Sequence, residues 1–291
     1  MIKSNGIRIL LIIISLIILL VYVNYENDFE HFTSKNNTAP RITTIITTSP
    51  IQSMDASYFK ETIDSLKHIP ELKNSPIVIC FDGGKVLNDK LDGKCKNLND
   101  EIDIKQYEDY KNEVKKDVLS SFPNVLITEA KERICLTQNI HNGMKLVKTK
   151  FVNVMQHDLP IIKSFDLDNI IKTIDENDYV KYVRYVLEKN RFHEEYNKKS
   201  GAPILPHRKI QKNGLTFSIC SQWSDQNHIT TKKYYDDIIF PETLSKFSFM
   251  EHDLLSKPPT NHKRYGTWYL GDLDDGNYIY HSNARWVDKK K

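Results

Sequence analysis

Gln156, His157 and Asp158 place an amide, an imidazole and a carboxylate side by side, directly after the apolar run Phe151 to Met155. The run reads as a buried strand and the polar triplet as its carboxyl end. In open α/β sheets the carboxyl ends of strands face the ligand crevice. A carboxylate there, with His157 and the Gln156 amide beside it, can hold a hard divalent cation and the phosphates bridged to it. The plainer alternative is a strand followed by a solvated turn.

Other residues invite the same weighing. Asp82 ends a second apolar run, Pro76 to Phe81, and its carboxylate can accept a hydrogen bond from a base or a ribose. Gly83 and Gly84 after it are expected to let the backbone approach a ligand closely, although an Asp-Gly turn also simply ends a strand. Thr47, Thr48 and Ser49 close a first β-branched run and are expected at the same edge, lining a nucleotide pocket. Arg133 can grip a phosphate with two parallel hydrogen bonds, where the ordinary alternative is a surface arginine. Trp223 to His228 packs an indole, the Asp225 carboxylate and an imidazole into six residues. Trp223 is expected as a sugar-stacking platform and His228 as a reader of hydroxyls; the rival is a core tryptophan with Asp225 capping a following helix. Glu251, after the apolar Phe249 and Met250, is a candidate general base, against a helix-start Glu favoured by the dipole. His281 closes the short run Tyr278 to Tyr280 and is a candidate metal ligand beside Asp158, against a structural role.

These positions need a scaffold of alternating strands and helices. Thr43 to Thr48 is predicted as the first strand and Asp55 as the cap of a helix to about His68, with Pro70 as its stop. Pro76 to Phe81 is the second strand, Glu101 to Leu119 an amphipathic helix, Val125 to Thr128 the third strand and Leu136 to Val147 a helix. After the fourth strand come a helix over Asp168 to Ile174 and a strand over Tyr179 to Leu187. Asn190 to Gln211 is predicted as loop, and Leu215 to Cys220, Gly266 to Leu270 and Tyr278 to His281 as short strands. Such alternation predicts an α/β fold with a mostly parallel sheet flanked by helices.

The chain has 291 residues and a formal net charge of +3, with acids and bases interspersed, so no nucleic-acid footprint is present. Ile9 to Val23 is free of charge, and extended from Ile7 to Tyr25 it reaches the roughly 17–25 residues of a membrane-spanning helix. Lys3 and Arg8 precede it and Glu26, Asp28 and Glu30 follow. The positive-inside rule then puts residues 1–8 in the cytosol, 9–23 in the membrane as a signal anchor, and a polar stem at 24–41 across it, before one domain at 42–291. A cleaved signal peptide is the rival, but Val23-Asn24-Tyr25-Glu26 offers no small-residue cleavage site. Asn36-Asn37-Thr38 is a glycosylation sequon in the stem. Cys80, Cys95, Cys135 and Cys220 show no zinc spacing and allow up to two disulfides or buried free thiols.

In order of occurrence, a Thr-rich first strand, Asp82 after the second, the triplet after the fourth, the acidic segment at Glu251 and a late His281 resemble the GT-A glycosyltransferases, in particular the family-two-like enzymes. The resemblance covers about Ile42 to Trp286. Gln156 departs from it, standing where those enzymes carry the first carboxylate of an Asp-x-Asp element. It implies a UDP- or GDP-sugar donor, Mn2+ or Mg2+ bridging the diphosphate, and a glycan or glycoconjugate acceptor. By that analogy Asp82 meets the base, Asp158 and His281 the metal, and Glu251, or else Asp225, deprotonates the acceptor in an inverting displacement. The setting it implies is a type II membrane protein of the Golgi or another lumenal compartment. The alternatives are a catalytically silent GT-A-like lectin or assembly protein and, more remotely, a zinc hydrolase using some of His157, His228, His252 and His281.

Overall fold

The computed structural model describes residues 39–50, 54–85, 104–187, 205–206, 208–246 and 249–282. The chain divides into two units, Met1–Pro40 and Arg41–Lys291, and nearly everything described belongs to the second. The expected anchor at Ile9 to Val23 and the stem as far as residue 38 lie outside the described residues, as do Cys95 and residues 190–204. Among the described residues no helix is long and apolar enough to cross a membrane.

β1 (Ile42–Thr48) is buried along all seven residues. A β-branched run without polar alternation is what a strand covered on both faces requires. Alternate residues serve the two faces. Ile42 and Ile46 join the core beneath α1 (Ala56–Asp64) and α2 (Ile104–Ser121), and Ile45 joins the core beneath α3 (Cys135–Met144). β2 (Ile77–Phe81) divides the same way, with Ile77, Ile79 and Phe81 on the first side and Val78 and Cys80 on the second. α3 comes so close to β2 that a Cβ on Gly143 would sit 2.4 Å from the Cys80 sulfur, so a larger residue there would force the packing to shift.

β1 pairs in parallel with β2 on one side and with β4 (Phe151–Gln156) on the other, and β3 (Val125–Glu129) pairs in parallel with β2. Thr47 stands opposite both Cys80 and Gln156. β1 and β2 therefore end level, at Thr48 and Phe81, and β4 one residue earlier, so Ser49, Asp82 and His157 leave the sheet at the same edge. α4 (Leu167–Glu176), capped by the Asp166 side chain on the Asn169 amide at 2.9 Å, follows β4.

Beyond β4 the sheet is mixed. β5 (Tyr182–Arg184), β6 (Lys209–Lys212), β7 (Leu215–Ile219), β8 (His228–Thr231) and β9 (Thr267–Leu270) complete the order β3-β2-β1-β4-β8-β5-β9-β7-β6. β8 lies antiparallel between β4 and β5, with His228 opposite Val154. That pairing lays the residues just before His228 alongside the carboxyl end of β4, so loop 223–227 faces Gln156.

Several sequence expectations change. The strand over Tyr179 to Leu187 contracts to Tyr182–Arg184, and Tyr278 to His281 keeps one bridge, Ile161 to Ile279, because no neighbour continues the ladder. Lys209–Lys212, expected as loop as far as Gln211, is a strand in a tight hairpin with β7, turned by Asn213 and Gly214 at φ 47° and 76°. Asn-Gly is the strongest local signal for such a turn. Pro70 does not only stop the preceding helix; it opens the short helix Pro70–Lys73, where its missing N–H costs nothing.

On the face of β8 and β5 toward the helical segment after β8, Tyr182, Trp223, His228 and Tyr235 form an aromatic cluster. The His228 ring stacks on Tyr182 at 4.3 Å, with Nδ1 beside the Gln226 carbonyl at 2.6 Å and Nε2 beside the Tyr235 hydroxyl at 2.9 Å. Burial pushes the imidazole down to about 3, against the partial opposition of the Gln226 carbonyl. A folded-state value below the unfolded one stabilises the fold above the ordinary value of 6.5 and withdraws that stability as pH falls towards 3. Urea unfolding at pH 7 and pH 5 is expected to show about 2 kcal/mol of acid sensitivity from this ring. In His228→Gln the pH dependence should shrink by that amount, whatever its stability at pH 7; an unchanged pH dependence would mean the ring is not held neutral.

Candidate active site

At the end of β4 the ladder runs one residue further, the His157 amide donating to the Thr47 carbonyl at 3.1 Å. Thr62 in α1 donates to the His157 carbonyl at 2.7 Å and fixes the turn from below. Asp158 is wholly buried, and its Oδ2 lies 3.5 Å from Nε2 of His281, which is one-quarter exposed. The amide and hydroxyl of Ser282 both donate to the Asp158 carbonyl, at 3.0 and 3.2 Å. The segment at His281 and Ser282 is thus laced onto the triplet, and the two expected metal ligands face each other.

Beside this pair lies a cleft lined by Thr47, Thr48, Ser49, Asp82, Arg133, Cys135, Leu136, Asn139, His157 and Phe249. Most of the residues expected to meet a nucleotide are therefore neighbours. Their polar groups are partly committed to the protein. Thr48 bonds the Tyr110 hydroxyl at 3.0 Å, and Thr47 donates to the Met155 carbonyl at 3.3 Å. Asp82 Oδ1 accepts from the amides of Gly83 and Ile134, both at 2.8 Å, and Oδ2 lies 3.7 Å from the Arg133 Nε. Burial raises the Asp82 pKa, opposed by the Arg133 charge and those amides. Asp82 thus organises the loop between β3 and α3, with its second oxygen towards Arg133.

Gly83 has a different use from the one expected. A Cβ there would lie 2.1 Å from the backbone carbon of Glu132. The close approach is made by the protein's own β3–α3 loop, the loop that carries Arg133. Cys135, which opens α3 at φ 66°, is disulfide-bonded, whereas Cys80 and Cys220 are buried free thiols.

Loop 223–227 borders the other side of the triplet. Trp223 and His228 are both 0% exposed, which corrects the expectation that they bind substrate. The indole has no face for a sugar, since it packs on Tyr182 at 5.7 Å and against His228. Asp225 caps no helix, because a strand begins at His228. Between these core residues and the triplet, Ser224 donates to Glu251 Oε1 at 2.5 Å. Glu251 lies in the first turn of the short helix Met250–Leu254, directly after Phe249 of the cleft wall. The Ser224 bond therefore holds Glu251, one candidate base, against the loop that carries Asp225, the other. Ser224 and Asn227, within the run Trp223 to His228, and Asn139 carry no expected role in the sequence. Single polar residues carry no periodic signal, and only the pairing of β8 with β4 gives Ser224 and Asn227 their place.

His157 and His228 are buried at separate places. Among the described residues no group of three or more His, Cys, Asp or Glu side chains is placed to hold a metal ion, so the zinc-hydrolase alternative lacks its constellation.

No family model matches the chain, and no curated protein matches it. Solved glycosyltransferases are similar to it. S. aureus TarS shares 14% identity at a TM-score of 0.44, covering 83% of this chain and 36% of that one. The mannosyltransferase PcManGT from Pyrobaculum calidifontis, in complex with GDP-Man and Mn2+, shares 12% at 0.42, covering 85% and 63%. Residues 1–349 of S. aureus TarS, in complex with UDP-GlcNAc, share 12% at 0.44, covering 82% and 58%. The chain thus spans less than two-thirds of each of these proteins, and the functional reading below rests on its own residues.

Gly83→Ala is expected to destabilise the domain, because backbone cannot rotate away as a side chain can. Overpacking of this kind costs about 1–3 kcal/mol, a melting point lower by several degrees. Gly84→Ala, whose Cβ would meet the Ile104 side chain at 3.0 Å, should cost less. Equal melting points for Gly83→Ala and the parent would refute the contact.

Proposed function

We propose that the chain is a metal-assisted GT-A-type glycosyltransferase that moves a sugar from a nucleotide-sugar to a glycan or glycoconjugate acceptor. The observation that carries this reading is the facing of Asp158 and His281 at a strand end whose neighbour, His157, lines a cleft built from the level ends of β1 and β2. A carboxylate and an imidazole are too few to enclose a metal alone. Asp158 and His281 would fit Mn2+ or Mg2+ as a cation bound through one or two protein ligands, with the substrate supplying the rest. When bound, such a cation neutralises the charge that develops on a diphosphate leaving group.

The chain's own residues divide the remaining work. Thr47, Thr48, Ser49 and the Asp82–Arg133 pair form the nucleotide side, with Arg133 supplying positive charge near the phosphates. Glu251 takes the proton of the acceptor hydroxyl in an inverting displacement, its carboxylate oriented by the Ser224 hydroxyl. Asp225 is the second candidate for that proton. Trp223 and His228 support the site from the core. Residues 9–23 anchor the domain in a membrane as a type II protein facing a lumenal compartment. Protection of the domain from protease in sealed microsomes tests that placement, and a mature N-terminus beyond Asn24 would sink it.

A screen of UDP- and GDP-sugars for Mn2+-dependent hydrolysis tests the central reading. Asp158→Ala is expected to abolish metal-dependent nucleotide binding. Glu251→Gln should keep donor binding and lose about 10²–10⁴-fold in transfer, the usual contribution of a general base. If Asp225→Asn has that effect while Glu251→Gln stays near the parental rate, the roles are exchanged. Glycan binding without donor binding or hydrolysis would instead support the lectin alternative.

A further inference from the structure

Gln156 is the position at which this chain departs from a carboxylate-rich triplet, and its surroundings explain the departure. Its side-chain Nε2 donates to the Asp225 carbonyl at 3.2 Å. Its main-chain amide donates to Asn227 Oδ1 at 2.9 Å, and Asn227 Nδ2 donates in turn to the Leu159 carbonyl at 2.6 Å. Asn227 is fully buried, and its own carbonyl accepts from the Tyr185 amide at 3.0 Å. These bonds also fix which way the Asn227 amide points, since one end meets an N–H and the other a carbonyl. Loop 224–227 is therefore fastened to the turn of the triplet at two places, one through buried Asn227 and one through the Gln156 side chain.

The second fastening needs a donor. The Asp225 carbonyl can only accept, and a carboxylate at 156 would set acceptor against acceptor. From this we infer that Gln156 is a positioning residue and not a weakened metal ligand. Its amide holds loop 224–227, and with it Asp225 and the Ser224 partner of Glu251, against the turn that carries Asp158. The acceptor side of the site is thereby set in place by the donor side. The inference rests on the proposed function for the meaning of those two sides; the fastening itself does not.

Hydrogen exchange on the full chain reads the fastening without any turnover. Gln156→Met keeps the length and removes the donor, and Gln156→Glu keeps the shape and reverses the polarity. Loss of a hydrogen bond worth about 1 kcal/mol should speed exchange across residues 224–227 roughly 5-fold in both variants. Exchange in β1 and β4 should stay as in the parent, which a general loosening of the fold would not allow. Binding of Mn2+ in the presence of UDP or GDP, followed by electron paramagnetic resonance, should be equal in Gln156→Met and the parent. Unchanged exchange at 224–227 overturns the inference, and a loss of Mn2+ affinity in Gln156→Met with unchanged exchange assigns residue 156 to the metal. If the parent binds no Mn2+ with either nucleotide, the proposed function fails while the exchange result still decides the fastening. Should both variants fail to fold, the side-chain amide protons of Gln156 in the ¹⁵N-labelled parent decide it. Slow exchange supports the bond, and solvent-like exchange refutes it.

Discussion

The structure depends on the register of β1 with its two parallel neighbours. Thr47 stands opposite Cys80 on one side and Gln156 on the other, so three strands stop within one residue of each other and release their next residues on the same edge. Parallel strands cannot be joined by tight turns; each needs a crossover, and α1 to α3 supply them around two apolar layers. A slip of one residue would turn Ile45 and Ile46 to the wrong layers. The core that fixes the register therefore also fixes the site. Packing energy is spread over many buried aliphatic side chains, and the polar residues at the strand ends inherit their positions from it.

The second half of the sheet works differently. β8 enters antiparallel beside β4, and the loop that precedes it has to run along the β4 turn. Its two sides then take opposite characters. Trp223 and His228 point into an aromatic core and are lost to solvent, while Ser224, Asp225 and Asn227 meet the triplet and Glu251. Arg184, on the neighbouring β5, shows how polar this interior is. Its guanidinium is fully buried, stacked 4.5 Å from the Tyr269 ring centre and 3.0 Å from the Cys220 sulfur. Burial opposes its charge, yet the surrounding Cys220 and tyrosine groups hold its pKa above the usual value. Arg184 on β5 is thereby linked to Tyr269 on β9 and to Cys220 just after β7.

Within the site, two kinds of polar residue are distinguishable by their partners. Asp82 has one oxygen closed by two backbone amides, and Gly83 is dictated by the Glu132 backbone; both hold the loop that presents Arg133. Asp158 and His281 instead face one another where Ser282 bonds back to the Asp158 carbonyl. The first pair explains how the cleft is built, the second how the turn after β4 is held beside it.

The sequence by itself determined the first four strands, their helices and the edge on which Thr47, Asp82 and Asp158 emerge, because long apolar runs with strand or helix periodicity report burial directly. Asp55 and Pro70 marked helix boundaries through local backbone chemistry, and Asn213-Gly214 held a hairpin signal in plain sight. Tertiary structure alone decided the rest. An indole and an imidazole spaced as Trp223 and His228 are chemically suited either to a sugar or to a core, and only the sheet partners of β8 place them in the core. Gln156 looks like a defective ligand in one dimension; in three it is a donor facing a carbonyl. Nothing local encodes which distant strand a short segment will join, since that choice is made by the fit of whole apolar surfaces. The meeting of Asp158 with His281 and of Ser224 with Glu251 therefore became visible only once the sheet order was known.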